Sequence, residues 1–132
     1  MKTKQVILSL LLTATAIFGQ GCVVAAVGLG AAGTIAYVRG DLESTEANNI
    51  KDVYSAALEA VNQLDLNLIS KSEDLLSANI TARDADDKKI TIKMKATGND
   101  TTKLSIRVGM FGDEDKSQQI YQKIYNNLHP IK

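Results

Sequence analysis

Three successive stretches of the chain alternate apolar and polar residues, and this limits the possible folds more than any other feature. Leu76, Ala78, Ile80 and Ala82 interleave with Ser77, Asn79, Thr81 and Arg83. Ile90, Ile92, Met94 and Ala96 interleave with Thr91, Lys93, Lys95 and Thr97, and Leu104, Ile106, Val108 and Met110 with Ser105, Arg107 and Gly109. Successive strand side chains point to opposite faces, so a period of two marks half-buried strands. The breaks at 84–88 and 98–100 are short and turn-like, which predicts antiparallel pairing of neighbours. A shorter, poorly patterned strand precedes them, starting at Leu66 and Leu68 and running through Ser72.

A sheet of this kind buries one face, and helices on either side of it in sequence supply the cover. Ile50, Val53, Tyr54, Ala57, Leu58, Val61 and Leu64 recur at three- and four-residue spacing, with Lys51, Asp52, Glu59, Asn62 and Gln63 between them. That pattern is an amphipathic helix. Ser44 and Thr45 are its expected caps, with Glu43 and Glu46 favourable near the positive end of the helix dipole. A last helix is expected after Asp113, with the stripe Ile120, Tyr121, Ile124, Tyr125 and Leu128, ended by Pro130. The predicted fold is therefore α+β, in the order α-β-β-β-β-α, an antiparallel sheet with two helices on one face.

The first forty residues differ in character. Lys2 and Lys4 precede an apolar core, VILSLLLTATAIF, followed by Gly19, Gln20, Gly21 and Cys22. A basic start, a short apolar core and a small-residue cleavage site define a secretory signal. The core is too short for a spanning helix, which needs about 20 apolar residues. A cysteine directly after this stretch resembles the bacterial lipobox, which implies that the Cys22 thiol receives a diacylglyceryl group and that the chain is cut between Gly21 and Cys22. Gly19 departs from the leucine usual at its position. The alternative is an uncleaved anchor with a free Cys22. The expected organisation is a signal peptide over 1–21, a lipidated Cys22 with a Gly/Ala-rich apolar tether over 22–40, and an α+β domain over 41–132. Two or three acyl chains would anchor the protein stably. Val23 after Cys22 permits outer-membrane sorting by analogy with enteric bacteria, with the domain facing the periplasm.

The tether contains Gly28-Leu29-Gly30-Ala31-Ala32-Gly33, a literal dinucleotide fingerprint. That motif needs a parallel βαβ unit and an acidic residue about 20 positions on, and neither is expected here. Small residues at four-residue spacing in the same stretch would instead allow close helix approach in lipid, or self-association.

Composition narrows function further. The 132 residues make one domain, and Lys+Arg 15 balance Asp+Glu 15, so no global charge draws the chain to nucleic acid. Loss of residues 1–21 would leave an acidic excess of about two. A single Cys leaves no internal disulfide and a single His no His-rich metal site. No catalytic residue, metal site or cofactor is expected. His129 is read as a helix-end residue, and the exposed turn acids lack the burial that tunes a catalytic carboxyl.

Two features remain as candidate sites. If the apolar strand positions face the helices, then Arg83, Lys93, Lys95, Lys103 and Arg107 (with Lys89) face away. No acid is then expected in the middle of that face, which makes it a candidate for an anionic lipid or glycan. The competing reading is a solvated face whose lysines discourage edge pairing. The second feature is Gly109-Met110-Phe111-Gly112-Asp113-Glu114-Asp115. Its glycines are expected to turn the chain into the last helix, its acids to complement the helix dipole, and Phe111 to plug the core. Calcium-loop spacing is missing from it.

The lipobox, the run ending Ala36-Tyr37-Val38-Arg39-Gly40, and the segment from Ile106 to Glu114, with Ser117 and Ile120 following, together resemble a family of small bacterial lipoproteins of unknown function. The resemblance spans essentially the whole chain. It implies lipoprotein status and this order of elements, and no activity. The expected partners are a membrane, through Cys22, and an envelope protein or further copies of the chain.

Overall fold

A computed structural model gives the fold and describes residues 35–131. Cys22, the signal segment, and the glycines of the dinucleotide-like motif lie outside the described residues. In chain order the elements are β1 (Ala36–Val38), β2 (Asp41–Glu46), α1 (Ile50–Gln63), β3 (Asn67–Glu73), β4 (Ser77–Arg83), β5 (Lys89–Gly98), β6 (Thr101–Val108) and α2 (Glu114–Leu128). The six strands form one antiparallel sheet, ordered β1-β2-β6-β5-β4-β3. α1 carries the chain from β2 across the sheet to the far edge strand β3. The expected α+β order is thus present, with two further strands ahead of it.

The alternation places the core as anticipated. Ala78, Ile80, Ala82, Ile90, Ile92, Met94, Leu104, Ile106 and Val108 are buried beneath the helices. They meet Val53, Tyr54, Ala57 and Val61 from α1 and Ile120, Tyr121 and Ile124 from α2. The ends of the runs behave differently. Leu76 and Met110 fall outside β4 and β6 and are exposed. β3 carries a register shift between Leu68 and Ser70, leaving Ile69 in a bulge. A bulge interrupts the two-residue period, which explains why β3 is poorly patterned in sequence.

Local expectations are corrected at the start of α1 and in the loop after β6. α1 is capped by Asn49, whose Oδ1 accepts the Asp52 N–H at 3.0 Å. Ser44 and Thr45, the expected caps, instead sit inside β2, opposite Leu104 and Lys103 of β6. Glu46 is likewise no helix-start acid but a fully buried residue of β2. The sheet also begins at Ala36, ahead of Asp41. Phe111, expected in the core, is 88% exposed, because the chain leaves β6 at Val108 and turns outward before α2 begins.

The helix ends follow ordinary rules. Asp113 caps α2, its side chain accepting the Lys116 N–H at 3.1 Å, as the sequence predicts. α1 ends with Asp65 at φ 52° and the Leu66 N–H reaching back to Val61 C=O at 3.0 Å. That is a left-handed stop closed by a six-to-one hydrogen bond.

Candidate functional site

The face of the sheet turned away from the helices is built in rows by the strand registers. One row runs Asp41, Arg107, Thr91, Thr81, Ser70; the next runs Glu43, Ser105, Lys93, Asn79, Ser72; a third runs Thr45, Lys103, Lys95, Ser77. Arg83 and Lys89 stand opposite one another at one end. All five candidate cations therefore do share this face.

β2 changes the electrostatics of that face. It contributes Asp41 and Glu43, so the face is not free of acids. Arg107 Nε donates to Asp41 Oδ1 at 2.7 Å, and Lys103 Nζ lies 3.3 Å from Glu43 Oε2. Arg83 pairs with Asp87 in its own turn at 3.2 Å. Arg107 is held further, since its Nη1 and Nη2 also donate to Met110 C=O at 2.9 Å and Arg39 C=O at 2.6 Å. Its hydrogen bond to Asp41 holds the guanidinium pKa above its ordinary value. Lys93 and Lys95 are the two candidate cations with no acidic partner among the described residues.

Two shallow depressions mark this face. One, of about 480 Å³, is lined by Leu76, Asn79, Lys93, Lys95, Lys103 and Ser105 among others. The other, of about 260 Å³, is lined by Asp41, Thr91, Lys93, Ser105 and Arg107. Lys93 lines both. An ammonium beside hydroxyls and amides in an open depression can bind an anionic oxygen.

The loop after β6 is a structural junction. Gly40, in the β1–β2 turn, and Gly112 both have positive φ, at +88° and +86°. A methyl at Gly112 would collide with Gly40 C=O and the Tyr37 hydroxyl, and one at Gly40 would lie 2.7 Å from Phe111 C=O. The two glycines thus let two backbone segments touch, and Arg107 staples both. Behind the junction, Lys116 bridges Asp84 at 2.6 Å and Asp86 at 3.1 Å, while Lys88 reaches Asp113 at 3.4 Å. The Lys116 hydrogen bond holds the Asp84 carboxyl below its usual range, opposed by burial. Asp113 is also held low, chiefly by the Lys116 backbone N–H it caps. Asp113, the first acid of this segment, is therefore engaged in capping and pairing. Among the described residues no cluster has the donors for a metal ion.

A buried polar group was missed in the sequence. Ser44 Oγ donates to Glu46 Oε1 at 2.5 Å and lies 3.4 Å from the Tyr121 hydroxyl. Burial pushes the Tyr121 phenol up to about 12, and Glu46 adds to the rise. Glu46 Oε2 and Ser117 Oγ have no partner among the described residues. Neither depression reaches this group. The only sequence signal was the inward alternation Leu42, Ser44, Glu46, which carries a single apolar residue. His129 ends α2, its N–H donating to Tyr125 C=O at 2.9 Å and its ring 4.4 Å from that of Tyr125.

A one-sided antiparallel sheet under two helices, with a polar outer face on which Asp41 and Glu43 pair with Arg107 and Lys103, defines a small α+β module. The chain matches the family described as Protein of unknown function (DUF3568) over residues 5–127, and it belongs to that family. No curated protein gave a significant match to it.

Proposed function

We propose that this protein is a lipid-anchored component of the bacterial cell envelope whose α+β domain acts as an interaction module at a membrane surface. The observation that carries this reading is the position of Cys22, the sole cysteine, immediately after a basic start, an apolar core and small residues. The described sheet begins at Ala36. Residues 23–35 can hold it no farther than about 50 Å from an acylated Cys22, even fully extended. Among the described residues no helix is long and apolar enough to cross a membrane. Mass spectrometry of the protein from cells fed a palmitate analogue is the test. The expected result is a chain beginning at acylated Cys22, and a Cys22→Ala chain that takes up no label. A native chain with its leader intact and a free thiol at Cys22 overturns the proposal.

A second reading is favoured by Lys93 and Lys95, which face the same depression without acidic partners. In it, the outer sheet face holds an anionic lipid headgroup or glycan. Arg83, Lys103 and Arg107 contribute less than their charge implies, because Asp87, Glu43 and Asp41 already pair with them. Flotation with phosphatidylglycerol vesicles should weaken in a Lys93→Glu, Lys95→Glu chain; unchanged flotation removes this reading and leaves the first standing.

A further inference from the structure

Exposed apolar residues mark one edge of the sheet and the turn beside it. Leu68 and Ile69 of β3, with Leu75 and Leu76 of the turn that follows, are all exposed, Leu75 at 92%. β3 is the terminal strand of the sheet, every residue of it is exposed, and its outer side has no neighbouring strand. Such an edge offers a row of unpaired N–H and C=O groups.

The outward groups can be assigned. Asp74 N–H donates to Ser77 C=O at 2.7 Å, so Asp74 and Ser77 form a hydrogen-bonded pair. Antiparallel ladders alternate bonded and non-bonded pairs. Ser72 and Ser70 therefore turn their backbone groups toward Asn79 and Thr81 of β4, while Lys71 and Glu73 turn theirs away from the sheet. Lys71 and Glu73 stand opposite the buried Ile80 and Ala78, which places both side chains on the helix side. Neither has an ion-pair partner among the described residues.

We infer that β3 pairs antiparallel with β3 of a second copy of this chain about a twofold axis at Ser72, joining Lys71 of each copy to Glu73 of the other. The register follows from the charges. With the axis at Ser72, Lys71 lies opposite the second copy's Glu73 in a hydrogen-bonded pair, and the mirror pair repeats it. A lysine on an edge ordinarily deters pairing. Here a glutamate two residues on converts the deterrent into a match, because opposite charges directly across a ladder attract. The bulge at Ile69 ends the regular ladder, so pairing is confined to the segment that carries the charges. The axis stands perpendicular to the sheet, so the helices of both copies lie on one side and the two outer faces become continuous. This association is independent of how the N-terminus is held.

Sedimentation of the full chain in mild detergent tests it, with three charge variants. Lys71→Glu sets glutamate against glutamate twice, and Glu73→Lys sets lysine against lysine twice. Each should weaken dimerisation by roughly tenfold or more. The exchange of both in one chain restores complementarity and should restore the dimer. A second readout does not depend on affinity. Ser72→Cys places two thiols across a non-bonded pair, at a Cα separation of about 4.5 Å that a disulfide can span. It should give a covalent dimer on oxidation, where the wild-type chain and Ser77→Cys on β4 give little. A wild-type chain that sediments as a monomer, or single variants that dimerise as well as the exchanged double variant, overturns the inference.

Discussion

Leu42→Ala is the most direct test of β2, the strand that places acids beside the basic face. Leu42 has no solvent exposure and pairs with the equally buried Ile106 of β6. Truncation removes three carbons, each worth about 0.8 kcal/mol when buried, or roughly 2.4 kcal/mol of transfer free energy. The cavity left behind adds to this, since buried Leu→Ala changes cost about 2–5 kcal/mol in total. A central value near 3 kcal/mol can be converted to temperature. Unfolding entropy of about 2.1 cal/mol/K per residue gives roughly 0.2 kcal/mol/K for a domain of about 100 residues, so the midpoint should fall by about 15 °C. Thermal unfolding followed by circular dichroism measures it. Thr45→Ala, on the exposed side of the same strand, should change stability by no more than about 0.5 kcal/mol. If Leu42 instead preceded a helix in solvent, both changes would be equally mild. A Leu42→Ala midpoint within about 3 °C of wild type would refute the buried strand.

Two further outcomes follow from the loops. Because Lys116 holds the Asp84 carboxyl below its ordinary value, the native state binds fewer protons there than the unfolded chain. The resulting stability is present above the unfolded pKa of about 3.9 and is lost as pH falls through the lowered native value. Asp84→Asn should therefore lower the urea midpoint at neutral pH and flatten its decline in acid; a variant whose profile runs parallel to wild type would contradict the pairing. Gly112→Ala combines a positive φ with collisions against Gly40 and Tyr37 and should cost about 2 kcal/mol or more. Gly109→Ala has a positive φ but open space around it, so it should cost about 1 kcal/mol, and equal losses at the two positions in urea unfolding would count against the interlocked turns.

The parts of the fold legible in the sequence are those where side-chain chemistry and burial agree. In β4, β5 and β6 almost every inward position is apolar and nearly every outward position polar, so period, face and pairing direction could all be read. α1 and α2 declared themselves by their stripes, and α2 also by Asp113. β2 was hidden because Ser44 and Glu46 occupy inward positions, where a polar residue argues against burial, and because Ser, Thr and Glu together imitate the start of a helix. That single omission propagated to the candidate site. The cations were assigned to the correct face from their own strands, but Asp41 and Glu43 lay in a segment read as preceding a helix. Arg107 and Lys103 therefore looked unpaired. Phe111 was misplaced for a related reason: an aromatic between two glycines reads as a plug, and only the spatial meeting of Gly40 with Gly112 shows that the loop is fixed by its backbone.

The staple at Arg107 also sets how the domain bears mechanical load. Were the chain held from its N-terminal side, as proposed, tension would meet β1 at Ala36, the open end of its hairpin with β2, three paired residues from the turn. Pulled from that end, the hairpin peels open one pair at a time at low force. Peeling then stops at Arg39 and Gly40, where the guanidinium grips Arg39 C=O and the interlocked backbone bars further opening. β1 would thus behave as a yielding leader ahead of a fixed arrest point, sparing β2 and the core beneath it when the molecule is tugged.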